Sequence, residues 1–302
     1  MKKFFALIKK PTDVLEVYSI IEFYKIQDVT LCVKDLTWST YPVLKKYCIS
    51  KIKKKVSRFK IEKIYDKNIA KINWLKKLKS FNLVALPINT NRNFYEIFDR
   101  LKSNGTKTIL ISDGVIDSFN IIKYVLATRK NLIRNFLKLL FLTYFFYFKN
   151  AKSNECFFTC YPLKATFSKK TFPVSKNFLP DRYLINILKK NKVKNLILGG
   201  KGIVLKEFLK KYSLTNYCYI ERLTVNKKKT IIINGKSIKI NNTLIAEEII
   251  NTNLIKNLYS YLNTTCFYGK YKKINVEVIF KKFTMNPPLL FIYMKQKFSE
   301  GF

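Results

Sequence analysis

The chain has 302 residues, of which 58 are Lys or Arg and 19 are Asp or Glu, so its formal net charge is +39; it contains no histidine. Without an imidazole there is no Ser-His-Asp triad, no His-activated cysteine and no His-ligated zinc, and acid–base chemistry falls to carboxylates, hydroxyls, amines or substrate groups. A hydrophobic content of 48% excludes a disordered basic tail, and the length predicts two domains or one large α/β unit.

The run Phe4–Ile8 reads as a strand, not a signal peptide, because the basic start is followed by no long apolar segment and no small-residue cleavage site. Pro11 stops that strand, Thr12 or Asp13 caps a helix reaching about Tyr24, and Val29–Val33 is a second strand. Asn82–Leu86 is a third strand and Asn91–Lys102 a helix with Phe94, Ile97, Phe98 and Leu101 on one face. Lys107–Ile111 is a fourth strand, ending in Ser112-Asp113-Gly114. This alternation predicts a mostly parallel sheet with helices on both faces.

The rhythm breaks between about Phe119 and Pro180. Inside the break, Phe136–Phe148 is the most apolar stretch, too short for a bilayer span of about 20 residues. It reads as a buried helix or as an interfacial one flanked by Arg129, Lys130, Arg134, Lys149 and Lys152, with the buried helix favoured. Alternation restarts with a strand at Val193–Leu198, the turn Gly199-Gly200-Lys201-Gly202 and a helix at Ile203–Lys211. Strands at Tyr217–Ile220 and Lys229–Ile233, a helix at Thr243–Ile250, a strand at Asn257–Tyr261, a helix starting at Thr264 and a strand at Val276–Phe280 complete the chain.

Three turns carry candidate chemistry. Ser112-Asp113-Gly114 closes a strand at its carboxyl end, the edge where open α/β sheets bind ligands. Its glycine permits a tight turn and its carboxylate suits a general base on a sugar hydroxyl, although Ser-Asp-Gly is also ordinary turn chemistry. The Gly199–Gly202 turn offers N–H groups to a phosphate, yet it fits neither G-x-G-x-x-G nor a P-loop, so a plain strand–helix turn stands beside that reading. Tyr259-Ser260 and Asn263-Thr264-Thr265 bring hydroxyls to a helix start, which suits a phosphate or simple capping.

The basic runs Lys51–Lys55 and Lys227–Lys229 read as solvated faces, and no nucleic-acid-binding module accompanies them. The six cysteines form no C-x-x-C pair and are expected to be reduced core thiols in a cytoplasmic protein without a metal site.

Taken together these segments resemble the bacterial sialyltransferases of the glycosyltransferase family 52 and polysialyltransferase type. That family opens with a strand, a Ser-Pro-Leu-Gln-like turn and a helix; FFALIKKPTDVLEVYSIIEFY keeps the proline as Pro11. The family's acidic-Asp-Gly motif is matched by Ser112-Asp113-Gly114, with the second acidic residue and the glycine retained. Its Glu-containing helix and following hydroxyl-bearing strand are matched by Ala246–Ile250 and Asn257–Thr265. Its His-Pro motif is absent: the matching place reads Tyr219-Ile220-Glu221-Arg222-Leu223, where Arg222 brings positive charge but no acid function near neutral pH.

The resemblance implies an α/β fold of GT-B-like plan, two Rossmann-like domains facing a central cleft, with residues 1–175 on the acceptor side and 176–302 on the nucleotide-sugar side. It implies inverting, metal-independent and cofactor-free transfer of sialic acid or a related ulosonic acid from a CMP donor to a glycan acceptor on lipooligosaccharide or capsule. Asp113 would be the base, with Thr12, Ser112, Gly114, Gly199 and Gly200 among the substrate contacts. Ser260, Thr264, Thr265 and Arg222 would hold the phosphate, and Glu247 the nucleoside. The expected place of work is the cytoplasm, on the anionic inner-membrane surface. The missing histidine leaves a catalytically degenerate binding protein of the same fold as an alternative; charge alone leaves a nucleic-acid-binding protein as a weaker one.

Overall fold

The apolar run after Lys3 forms β1 (Lys3–Ile8), buried from Phe4 onward, as a strand hydrogen-bonded on both edges and covered on both faces must be. The structure is a computed structural model and describes residues 2–34, 41–64, 77–87, 92–112, 114–128, 132–144, 152–199, 203–221, 230–240, 243–279 and 288–300. The chain divides into two units, Met1–Ser175 with Met285–Phe302, and Lys176–Thr284.

In the first unit β1 is joined by β2 (Asp28–Lys34), β3 (Arg58–Ile64), β4 (Leu83–Pro87), β5 (Lys107–Ile111), β6 (Ser153–Phe158) and β7 (Ser168–Pro173). The order is β3-β2-β1-β4-β5-β6-β7 and every neighbouring pair is parallel. Strand order reverses between β1 and β4. Right-handed crossovers running in opposite directions from that point place their helices on opposite faces. On one face the helix Arg92–Ser103 buries Ile97, Phe98 and Leu101 against Phe5, Leu7, Val84 and Leu86. On the other, α1 (Pro11–Tyr24) lies over β1, β5 and β6, with α2 (Tyr41–Ile52) beside it. The edge strand β3 is largely exposed and carries Arg58, Lys60 and Lys63, which discourages pairing with another chain.

The interval where the sequence rhythm breaks holds real elements. β6 and β7 extend the parallel sheet, and helices span Ile121–Thr128 and Leu132–Thr143. The second of these corrects the favoured reading of Phe136–Phe148 as a buried helix. Leu142 is buried, but Phe136, Leu137 and Leu140 are exposed, because among the described elements the helix packs chiefly onto Ile121–Thr128. Residues 145–148 lie outside the described residues. No helix of the described residues is long and apolar enough to cross a membrane. The last helix, Pro288–Glu300, also packs on Ile121–Thr128, with the rings of Phe119 and Tyr293 5.8 Å apart. The second unit therefore ends at Thr284, short of the expected 302, because the final apolar helix finds its partners in the first unit.

The second unit contains β8 (Asn195–Gly199), β9 (Tyr217–Glu221), β10 (Thr230–Ile233), β11 (Lys236–Lys239), β12 (Asn257–Tyr261) and β13 (Asn275–Ile279), ordered β11-β10-β9-β8-β12-β13. The stretch β9-β8-β12-β13 is parallel, and β10 and β11 close the edge as an antiparallel hairpin. That hairpin turns on Asn234-Gly235, both at positive φ (48° and 83°), the two-residue turn whose twist matches paired strands. Order reverses between β8 and β12. The helix Ile203–Tyr212 covers Ile197, Tyr217, Tyr219 and Tyr259 on one face. The helix Thr264–Tyr271 covers the other, approaching so closely that a Cβ on Gly269 would sit 2.9 Å from Leu258 Cδ2 and 3.0 Å from Val276 Cγ2. The expected helix at Thr243–Ile250 is shortened to Ala246–Ile250, with the preceding Ile245 N–H donating to Glu248 Oε1 at 3.3 Å.

Candidate functional site

Each sheet has one place where crossovers depart to opposite sides, the position at which open α/β sheets bind ligands at the carboxyl ends of their strands. In the first unit this place lies at the ends of β1 and β4, with β5 alongside. The residues gathered there are acidic and buried. Asp13 and Glu16, from the first turns of α1, are 1% and 2% exposed, and Asp117, from the 3₁₀ turn Val115–Ser118, is fully buried.

Hydrogen bonds fix this arrangement. Lys10 is the N-terminal boundary of α1 and Pro11 its first residue, so the capping is done from within the helix: Asp13 Oδ2 accepts from the N–H groups of Lys9 (2.7 Å) and Lys10 (3.0 Å). Asp13, not Thr12, is thus the capping residue. Glu16 Oε2 accepts from the N–H of Ser112 at 2.7 Å, tying α1 to the turn that follows β5. Within that turn Gly114 N–H donates to Ser112 Oγ at 2.8 Å, and Asp117 N–H to the Gly114 carbonyl at 3.0 Å. Gly114 sits at φ 87°, ψ −152°, a region essentially reserved for glycine. Ser112 and Gly114 are both buried, and Asp113, covalently between them, lies outside the described residues.

The electrostatics of the cluster favour bound protons. Burial pushes the Asp13 carboxyl up to about 6, against the opposing pull of the Lys10 charge and the N–H groups of Lys9 and Lys10. Burial drives Glu16 well above the usual carboxylate range, and the negative charges of Asp13 and Asp117 add to it, while the Ser112 N–H and Lys10 oppose. Asp13 Oδ1 is buried and has no hydrogen-bond partner among the described residues. None of these carboxylates belongs to a group arranged to hold a metal ion among the described residues. The Cys156 thiol is raised well above its ordinary value by burial, then by Glu16 and Asp117, so it stays protonated and unreactive. All six cysteines are buried and stand outside any disulfide.

In the second unit the corresponding place lies at the ends of β8 and β12. Gly199 closes β8, and Gly200 lies outside the described residues, as does Arg222 beyond β9. The start of the helix Thr264–Tyr271 does bring several expected residues together. Thr265 Oγ1 donates to Glu247 Oε1 at 2.8 Å, and Asn263 Nδ2 donates to Ser260 Oγ at 2.7 Å. Asn263 Oδ1 accepts from Cys266 N–H at 3.2 Å and is the cap of the helix. Ser260 and Glu247 are almost wholly buried, whereas Thr264 and Thr265 are half-buried.

No protein-family model matches the chain, and no curated protein sequence does either.

Of the expected residues, the structure places Thr12, Ser112 and Gly114 at the carboxyl edge of the first sheet, and Gly199, Glu247, Ser260, Thr264 and Thr265 toward that of the second. Asp13, Glu16 and Asp117 were not expected as site residues. Asp13 and Glu16, set among apolar residues in the first turns of PTDVLEVYSIIEFY, were the available signal, since an acidic residue needs a reason to be buried there.

Proposed function

We propose that this chain is a glycosyltransferase of GT-B-like plan that moves a sugar, of the sialic or related ulosonic acid class, from a CMP donor to a glycan acceptor. The observation that carries the reading is the buried carboxylate cluster Asp13–Glu16–Asp117 at the carboxyl edge of the first sheet, linked by the Glu16–Ser112 hydrogen bond to the turn that contains Asp113. In this reading Asp113 takes the proton of the acceptor hydroxyl. The hydroxyls of Thr264 and Thr265 at a helix start, with Glu247 beside them, serve the donor. Arg222 supplies the positive charge that the family draws from its histidine, stabilising the departing phosphate without donating a proton. The acceptor is carried on lipid or polysaccharide, and the protein works at an anionic membrane surface.

A second reading has its own support. Thr265 and Ser260, two of the expected phosphate contacts, are already engaged with Glu247 and Asn263. That internal satisfaction suits a degenerate binding protein of the same fold. One experiment separates the two: CMP release from CMP-sialic acid in the presence of a lactose-type acceptor, for the wild-type chain and Asp113→Ala. Release that Asp113→Ala abolishes is the expected result. CMP binding without release favours the binding protein, and neither binding nor release overturns the proposal.

A further inference from the structure

The helix Leu132–Thr143 turns its apolar stripe outward. Phe136, Leu137 and Leu140 are 61%, 60% and 53% exposed, and Tyr144 continues the row at the spacing of a single helix face, while Leu142 on the inner side is buried. The neighbouring helices add Ile122 and Ile292. Seven of the ten large apolar side chains exposed among the described residues lie on or directly after these three helices, which pack side by side through Ile121–Thr128. Scattered exposed apolar side chains are normal, but this concentration marks a contact surface.

The charge of the same stretch identifies the occupant. Between Asp117 and Glu155 the sequence contains seven Lys or Arg, among them Lys123, Arg129, Arg134, Lys138 and Lys149, and no Asp or Glu at all. A second copy of the chain would set this positive stretch against its own like in an isologous contact, which costs rather than gains free energy. An anionic lipid surface meets both features: phenyl and leucyl groups enter the headgroup–acyl boundary while Lys and Arg meet lipid phosphates.

We propose that the outer face of helices Leu132–Thr143, Ile121–Thr128 and Pro288–Glu300 is the surface by which this protein binds anionic membranes, with Phe136, Leu137 and Leu140 as the inserting side chains. The inference deepens the membrane part of the reading above and does not depend on the transfer chemistry. The chain passes from the Ser112–Gly114 turn through the 3₁₀ turn Val115–Ser118 directly into Ile121–Thr128, so the bound face begins a few residues beyond the candidate base.

The test is co-sedimentation of the full chain with vesicles of phosphatidylcholine alone and of phosphatidylcholine mixed with phosphatidylglycerol. Binding to the mixed vesicles is expected to be at least about tenfold tighter and to weaken as salt shortens the Debye length. Phe136→Ser/Leu140→Ser is expected to weaken it about tenfold or more at unchanged thermal stability, because both side chains are exposed in the folded protein. Failure of the wild-type chain to bind mixed vesicles overturns the proposal, as does equal binding by the double variant. So does a dimer that the double variant dissociates in the absence of vesicle binding. CMP release with a water-soluble acceptor, measured on the same variant, should be unchanged, so a failed transfer assay and a failed membrane assay are told apart.

Discussion

The two ends of the first sheet handle buried carboxylates in opposite ways. Toward the amino end, Glu155 of β6 is 6% exposed and is met by the Lys107 ammonium at 2.6 Å and by the Tyr24 hydroxyl, with Lys107 also lying 4.6 Å from the centre of the Tyr24 ring. Cation and hydroxyl together satisfy the charge, and the Tyr24 phenol is pushed up to about 12 by burial and then by its bond to Glu155. At the carboxyl end, Glu16 and Asp13 are held by backbone N–H groups, and Glu16 faces the charges of Asp13 and Asp117. One end is a structural clasp, in which a cation and a hydroxyl meet the carboxylate. The other binds protons on folding, the electrostatic condition for acid–base work. A fold carries such a cost only where something else requires it, which is why the carboxyl end, and not the equally buried Glu155, is the candidate site.

The largest test of this contrast is Asp13→Asn. With the Asp13 carboxyl at about 6 when folded and 3.8 as its ordinary value, the native state holds more protons than the unfolded chain between those pH values. Stability therefore falls as pH rises through that window and stays lower above it. Asn keeps an oxygen for the N–H groups of Lys9 and Lys10 but carries no charge. It should stabilise the protein by about 2–3 kcal/mol at pH 7.5, change little at pH 3.5, and flatten the pH dependence of urea unfolding between them. If the proposed transfer holds, the same variant should turn over more slowly, a gain in stability at the expense of activity.

Glu155→Ala should act in the opposite sense. It leaves Lys107 and the Tyr24 hydroxyl without their acceptor and should cost about 2 kcal/mol at neutral pH, less than a fully buried pair because Lys107 remains partly in water. A Glu155→Ala protein as stable as wild type, measured by urea unfolding, would erase the distinction between the two ends. The smallest effect is expected of Ser112→Ala, which removes the acceptor of the buried Gly114 N–H and should cost about 1 kcal/mol, read as a drop in thermal midpoint. A neutral result there would mean that the turn is held by the Glu16–Ser112 bond and by Gly114 itself.

Much of the fold was legible because central parallel strands must be apolar on both faces. The runs Phe4–Ile8, Val29–Val33, Lys107–Ile111 and Tyr217–Ile220 fall inside β1, β2, β5 and β9 for that reason. Edge elements lack that constraint. β3, with RFKIEKI, and β7, with SKKTFP, carry more polar than apolar residues, so no apolar run marks them. The β10–β11 hairpin had its signal in Asn234-Gly235, which local turn chemistry dictates. In the second unit the sequence sets Ser260, Asn263 and Thr265 at one strand–helix junction, but that Thr265 bonds to Glu247 and Asn263 to Ser260 depends on side-chain geometry that spacing does not contain.

The sequence by itself determined the alternation of strands and helices, the absence of imidazole chemistry and the positive charge, since each follows from residue type and short-range order. Only the tertiary structure decided which carboxylates share one buried space and which way an apolar helix faces. Asp13, Glu16 and Asp117 are brought together by the reversal of strand order between β1 and β4 and the return of β5 beside it. The outward Phe136, Leu137 and Leu140 follow from which side of their helix meets Ile121–Thr128. Both are long-range packing outcomes, in which helical periodicity gives the stripe and only the neighbouring elements choose whether it turns to the core or to the surface.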